Sequence, residues 1–185
     1  SMRILLATCL LAGIAAGVAR AAEVIRPRVV VVTMFERGDD TGDSPGELQY
    51  WVEREKLERV VLLPQAHHDV RANADGSLIA IVTGVGNTRA AATVMALGLD
   101  PRFDLRQSYW LVAGIAGIDP ADGTLGCAAW AEWIVNGDLG HEIDPREMPP
   151  GWPTGFVPLR KSQPYELPLN TDDSSQVFQL DGGLV

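Results

Sequence analysis

Hydrophobic residues are spread along this chain in short, dense runs separated by glycine-, proline- and acid-rich stretches. Val29-Val30-Val31-Val32-Thr33-Met34 is a continuous, mostly β-branched run with no polar alternation. Such a run fits a strand buried on both faces of a parallel sheet, because a half-exposed strand would alternate. A loop from Glu36 to Gly46 follows, and Glu47 to Arg59 then carries Leu48, Trp51, Val52 and Leu57 at near-helical spacing, which predicts a helix. Val60 to Leu63 reads as a short strand closed by Pro64. Asp69 to Val82 predicts a hairpin turning at Asn73-Ala74-Asp75-Gly76, with glycine free to take positive φ. Its second arm, Leu78 to Val82, runs into Thr83-Gly84-Val85-Gly86-Asn87 and an Ala-rich helix over Arg89 to Leu99, for which Asn87 or Thr88 is the expected N-cap.

Tyr109-Trp110-Leu111-Val112-Ala113 predicts another buried strand, ending at Gly114-Ile115-Ala116-Gly117. Small residues there let a ligand or a neighbouring backbone approach closely. Cys127 to Asn136 reads as a further strand, and 137–170 as an ordered surface excursion in which Trp152, Phe156 and Tyr165 need somewhere to pack. Thr171-Asp172-Asp173-Ser174 reads as a helix start with Val177 and Phe178 opening its apolar face, yet the sequence stops at Val185. A helix capped and then abandoned predicts a truncated chain.

The first 21 residues stand apart. Ser1 ahead of Met2 reads as the remnant of a cleaved tag. Arg3, the apolar run Ile4 to Val18 and Ala19-Arg20-Ala21 follow in the order of a secretory signal peptide. The run is shorter than the roughly 20 residues that an untilted helix needs to span a membrane. A cleaved leader, and hence a secreted or periplasmic protein, is the expectation; a retained anchor and a buried helix are the other readings. Residues 22–185 would then form one domain.

Composition narrows the function classes. At 46% hydrophobic and 21% charged, the 185 residues are ordinary globular protein. A formal charge of -9 with no basic cluster would repel a phosphate backbone, so nucleic acid is not an expected partner. Cys9 and Cys127 are the only cysteines, which excludes a disulfide scaffold. Cys127 reads as a small buried hydrophobe, with no basic neighbour in sequence to make it a nucleophile.

Of the residues that could carry chemistry, the segment Thr83, Gly84, Gly86 and Asn87 at a helix start offers unpaired N–H groups and the positive end of a dipole to phosphate or another anion. The same pattern also serves as a plain tight turn. Arg37 has the permanently charged, planar head that meets anions well. Asp39, Asp40, Asp43 and Glu47 are oxygen ligands of the kind a hard cation takes, but their spacing matches no EF-hand; a solvated acidic loop is the simpler account. His67 and His68, being adjacent, point different ways if extended and make a poor metal pair. His141, Glu142 and Asp144 form either a polar cluster near a ligand or part of a surface loop. No metal site is expected.

Two glycine segments, Thr83-Gly84-Val85-Gly86-Asn87 entering a helix and Gly114-Ile115-Ala116-Gly117 after a strand, resemble those of the nucleoside phosphorylase and nucleosidase superfamily. The wider text, from Met34-Phe35-Glu36-Arg37-Gly38-Asp39-Asp40 to Trp133-Ile134-Val135-Asn136-Gly137-Asp138, is similar to the purine nucleoside permease family, an exported branch of it. The resemblance implies a three-layer α/β/α fold with a mixed central sheet, incomplete at its C-terminus, binding a nucleoside at the carboxyl ends of the strands. It places Gly114, Ile115, Ala116 and Gly117 against base and sugar, with Ile115 and Ile118 bulkier than the residues usual there. Nucleosidases carry a water-activating glutamate soon after the first strand; Glu36 is its nearest counterpart and falls one position early, with Arg37 in the matching place.

What this implies is an exported purine nucleoside-binding protein for nucleoside uptake, working with a membrane transport partner, since no spanning segment follows the leader. The alternative is a phosphorylase or nucleosidase cleaving the N-glycosidic bond, with phosphate as co-substrate and no other cofactor. The superfamily's ribose-binding Met-Glu pair and purine-protonating acid lie in a second half that this chain does not reach, so turnover by this polypeptide alone is not expected. A homo-oligomer is in keeping with the superfamily.

Overall fold

A computed structural model of the chain describes residues 24–166 and 177–184. The segments expected to form a leader and a helix start at Thr171–Ser174 lie outside the described residues. The chain divides into two compact units with the boundary between Gly117 and Ile118.

The first unit is built on a mixed sheet of five strands. In chain order it holds β1 (Val29–Thr33), α1 (Gln49–Arg54), β2 (Arg59–Val61), β3 (Val70–Ala72), β4 (Leu78–Val82), α2 (Asn87–Leu99) and β5 (Tyr109–Val112). The sheet order is β2-β3-β4-β1-β5. β1 runs parallel to β4 on one side and to β5 on the other, while β3 is antiparallel to both β2 and β4. The unbroken valine run behaves as its pattern predicts, because side chains leave a strand alternately and both faces are covered. Val30 and Val32 join Ile79, Ile81 and Leu97 of α2 in one core. Val31 joins Leu48, Val52 of α1 and Ala80 in the other.

The hairpin between β3 and β4 closes as expected. Gly76 takes φ +73° and donates its N–H to Asn73 O at 3.1 Å. The Asn73 side chain accepts from Leu78 N at 3.1 Å, so a single amide pins the register of the second arm.

Several expectations need correction. α1 ends at Arg54 and not at Arg59, because Lys56 adopts φ +53° and turns Leu57 into the core; this is the left-handed residue that commonly closes a helix. The N-cap of α2 is Gly86, at φ +95°, rather than Asn87 or Thr88, and no side chain caps it. β5 is paired only to β1 and stands at the sheet edge, with Tyr109 58% and Val112 62% exposed. An apolar run therefore marked a strand without marking its place in the sheet.

The second unit holds β6 (Trp133–Val135) paired antiparallel with β9 (Val177–Gln179), and β7 (Gly140–Glu142) paired antiparallel with β8 (Phe156–Pro158). The strand expected over Cys127–Asn136 is thus confined to its last part, and Val177 and Phe178 lie in a strand, not on a helix. Cys127 is exposed, against the expectation of a buried thiol. Val157 is buried, but Phe156 and Tyr165 are exposed and Trp152 is only half-buried. Short two-stranded ribbons cover little area, which is why these aromatics find so little to pack against.

Candidate functional site

The three segments singled out in the sequence meet along one edge of the first unit's sheet. β4, β1 and β5 are adjacent and parallel, so their carboxyl ends open the same way. Thr83–Asn87 leaves β4, Met34–Arg37 leaves β1 and Gly114–Gly117 leaves β5. In open α/β sheets ligands bind outside this edge.

Hydrogen bonds hold the β4 and β1 ends together. Thr83 N–H donates to Thr33 O at 2.8 Å, and the Thr83 hydroxyl lies 3.2 Å from the same carbonyl. Thr83 is buried, and its carbonyl accepts from the Thr93 hydroxyl of α2 at 3.1 Å. Its side chain therefore fixes the turn and faces inward. Beyond it Gly84 and Gly86 take φ +80° and +95°, conformations that bring the exposed Gly86 and Asn87 to the start of α2. A Cβ on Gly84 would sit 2.9 Å from Arg89 Cδ and 3.0 Å from the His67 ring. Gly84→Ala is expected to destabilise the protein by about 1–3 kcal/mol, from left-handed strain and the forced shift of two side chains. Urea unfolding of both proteins checks this.

Glu36 is engaged by backbone. Its carboxylate accepts N–H bonds from Arg37 and Leu48 at 2.7 Å, from Gln49 at 2.6 Å, and from Gly46. Burial works to raise its pKa, but the four N–H donors outweigh it, and the group lies below the usual glutamate value. A carboxylate so held is a weak proton acceptor that organises the loop into α1. Arg37 beside it is exposed.

Glu47 was counted in the sequence among a solvated acidic set, and the structure separates that set. Asp40 lies 2.9 Å from His68 Nε2 and pairs with Arg71 Nε at 3.3 Å. Asp43 accepts from Asp39 N at 3.0 Å. Glu47 instead reaches the strand ends: Oε2 accepts from Met34 N at 2.7 Å and Phe35 N at 3.4 Å, and Oε1 from Ile115 N at 2.9 Å. Among the described residues no group of three or more His, Cys, Asp or Glu side chains is placed to hold a metal ion.

Gly114 lies against Met34 and Glu47, while Ile115, Ala116 and Gly117 are exposed. Two surface clefts lie elsewhere. One of about 360 Å³ includes Asp40, Leu63, His67 and His68, and one of about 340 Å³ includes Arg26, Arg28, Asp104 and Arg106. Neither is lined by the three strand-end segments. In the second unit His141 and Glu142 are exposed in β7, and Asp144 is paired with Arg146 at 2.5 Å.

The profile described as purine nucleoside permease (NUP) matches residues 26–185. The chain belongs to the purine nucleoside permease family. Among curated relatives, a Schizosaccharomyces pombe protein named as a probable purine nucleoside permease is 29% identical over 177 residues, covering 92% of this chain and 50% of the relative. A Candida albicans purine nucleoside permease is 26% identical over 164 residues, 85% of this chain and 38% of the relative. The chain thus spans half or less of the length of these relatives. No solved structure gives a significant match. Within the permease family, then, this stretch supplies a mixed sheet whose parallel carboxyl edge gathers the glycine segments.

Proposed function

We propose that this permease-family chain is a nucleoside-recognition part, binding a purine nucleoside at the carboxyl edge of β4, β1 and β5 for uptake across the cell envelope. The observation that carries the reading is the convergence of Met34–Arg37, Thr83–Asn87 and Gly114–Gly117 on that edge. In this reading Gly114, Ile115, Ala116 and Gly117 lie along base and sugar. The exposed Gly86 and Asn87, with Arg37, face whatever anion accompanies the ligand, while the buried Thr83 and Gly84 hold the turn that presents them. One helix on each face of the sheet supports a three-layer α/β/α fold of the nucleoside phosphorylase kind. Export by a cleaved leader, a membrane transport partner and self-association complete the proposal; among the described residues no helix is long and apolar enough to cross a membrane.

Binding is favoured over bond cleavage by the state of Glu36, whose oxygens are taken by four backbone N–H groups. A general base must reach its proton. Calorimetric titration with adenosine, guanosine, inosine and uridine, with and without phosphate, followed by chromatography for free base, tests the reading. Saturable purine nucleoside binding without released base is the expected result. Released base would make the chain a phosphorylase or nucleosidase, and absence of binding would overturn the recognition role.

A further inference from the structure

We infer that Glu47 is a positioning residue of the proposed nucleoside site, a strut that fixes the wall after β5 to the end of β1. The inference rests on that reading of the site. Glu47 begins the approach to α1, yet its carboxylate spans two strand ends. Oε2 holds the N–H groups of Met34 and Phe35, and Oε1 holds that of Ile115, 68 residues away. The backbone is tied in as well, since Glu47 N–H donates to Phe35 O at 3.1 Å. β5 stops hydrogen bonding to β1 after Val112, apart from Ala113 N–H to Val32 O at 2.9 Å. Past that point the ladder no longer dictates where Ile115 goes, and the Glu47 carboxylate supplies the missing link.

The packing agrees. A Cβ on Gly114 would fall 2.2 Å from Met34 Cε and 3.2 Å from Glu47 Oε1, so the two segments touch without room for a side chain. Glycine, the Met34 methyl and the Glu47 carboxylate together set the spacing between the two walls. Only a carboxylate serves here. It offers two acceptor oxygens, one for each strand end, whereas glutamine offers one acceptor and turns a donor toward a donor at the other. The Asp43 carboxylate, in the same acidic stretch, instead accepts from Asp39 N within its own loop.

The test compares wild type with Glu47→Gln by amide hydrogen exchange and by nucleoside titration. The Ile115 amide is expected to exchange roughly tenfold or more faster in the variant, with Val30–Val32 amides as protected as in wild type. Nucleoside affinity should fall by roughly tenfold, the scale of one charge-assisted hydrogen bond. Unchanged Ile115 exchange, or unchanged affinity alongside a wild type that binds, overturns the inference. If wild type binds no nucleoside, the recognition reading fails, while Ile115 exchange still decides whether the strut exists. Should Glu47→Gln lose protection throughout the sheet, Gly114→Ala provides the second probe. It displaces the Met34 methyl and crowds Oε1 while keeping the charge, and is expected to lower affinity with the sheet amides intact; unaltered affinity there counts against the strut.

Discussion

Truncation of Leu97 to alanine is expected to destabilise the first unit by about 2–5 kcal/mol, the range for a fully buried leucine. Leu97 is 0% exposed and, with Thr93, is one of only two buried residues of α2. It inserts among Val30, Val32, Ile79 and Ile81. No side chain caps the helix and its outward positions Met95 and Leu99 are exposed, so Leu97 is its buried apolar anchor, beside the hydrogen bonds that the Thr93 hydroxyl makes to Thr83 O and His67 N. The start of α2 positions Gly86 and Asn87, and nucleoside binding should weaken with stability. Urea unfolding gives the first quantity and titration the second. A loss below about 1 kcal/mol would mean that α2 is held by contacts other than this core.

Replacing Glu36 with glutamine has the second large effect, about 1–3 kcal/mol, because one of the two oxygens serving four backbone donors becomes a donor itself. The effect depends on pH. Burial alone would raise the pKa of Glu36, but the N–H groups of Arg37, Gly46, Gln49 and Leu48 hold it below the unfolded value of 4.5. A carboxylate depressed on folding contributes stability above its unfolded pKa and loses that contribution as pH falls through the folded one. The wild type should therefore lose stability on acidification below 4.5 more steeply than the variant. Denaturant midpoints measured at neutral and acid pH settle it, and equal acid slopes would show that Glu36 does not titrate with folding.

Much of the first unit was legible as pattern. The unbroken runs at Val29–Thr33 and Leu78–Val82 became neighbouring parallel strands, and Asn73 with Gly76 closed the turn between β3 and β4. Local chemistry suffices where an element's partners are close in sequence or where burial is symmetric. It failed at boundaries and edges. Nothing in Tyr109–Val112 distinguishes a strand flanked on both sides from one at the rim, and nothing at Lys56 announces a left-handed residue in place of glycine. In the second unit only fragments of the expected elements formed, and Cys127 and Tyr165 stayed exposed.

The candidate site divides along the same line. Its glycine segments were recognisable because a strand, a tight turn and a helix are contiguous in the chain, and φ +80° and +95° at Gly84 and Gly86 are what that turn requires. The roles of the acids were not recognisable. Glu36, Asp40, Asp43 and Glu47 are chemically alike in a loop of one composition, yet one caps a helix, one meets His68 and Arg71, one turns on its own loop, and one bridges to Ile115. By itself the amino-acid sequence determined which segments of the first unit become strands, which turns need glycine, and the family to which the chain belongs. Which carboxylate meets which backbone was decided only by the tertiary fold: the pairing of β1 with β5 brings Met34 N and Ile115 N, 81 residues apart in the chain, to one carboxylate, that of Glu47.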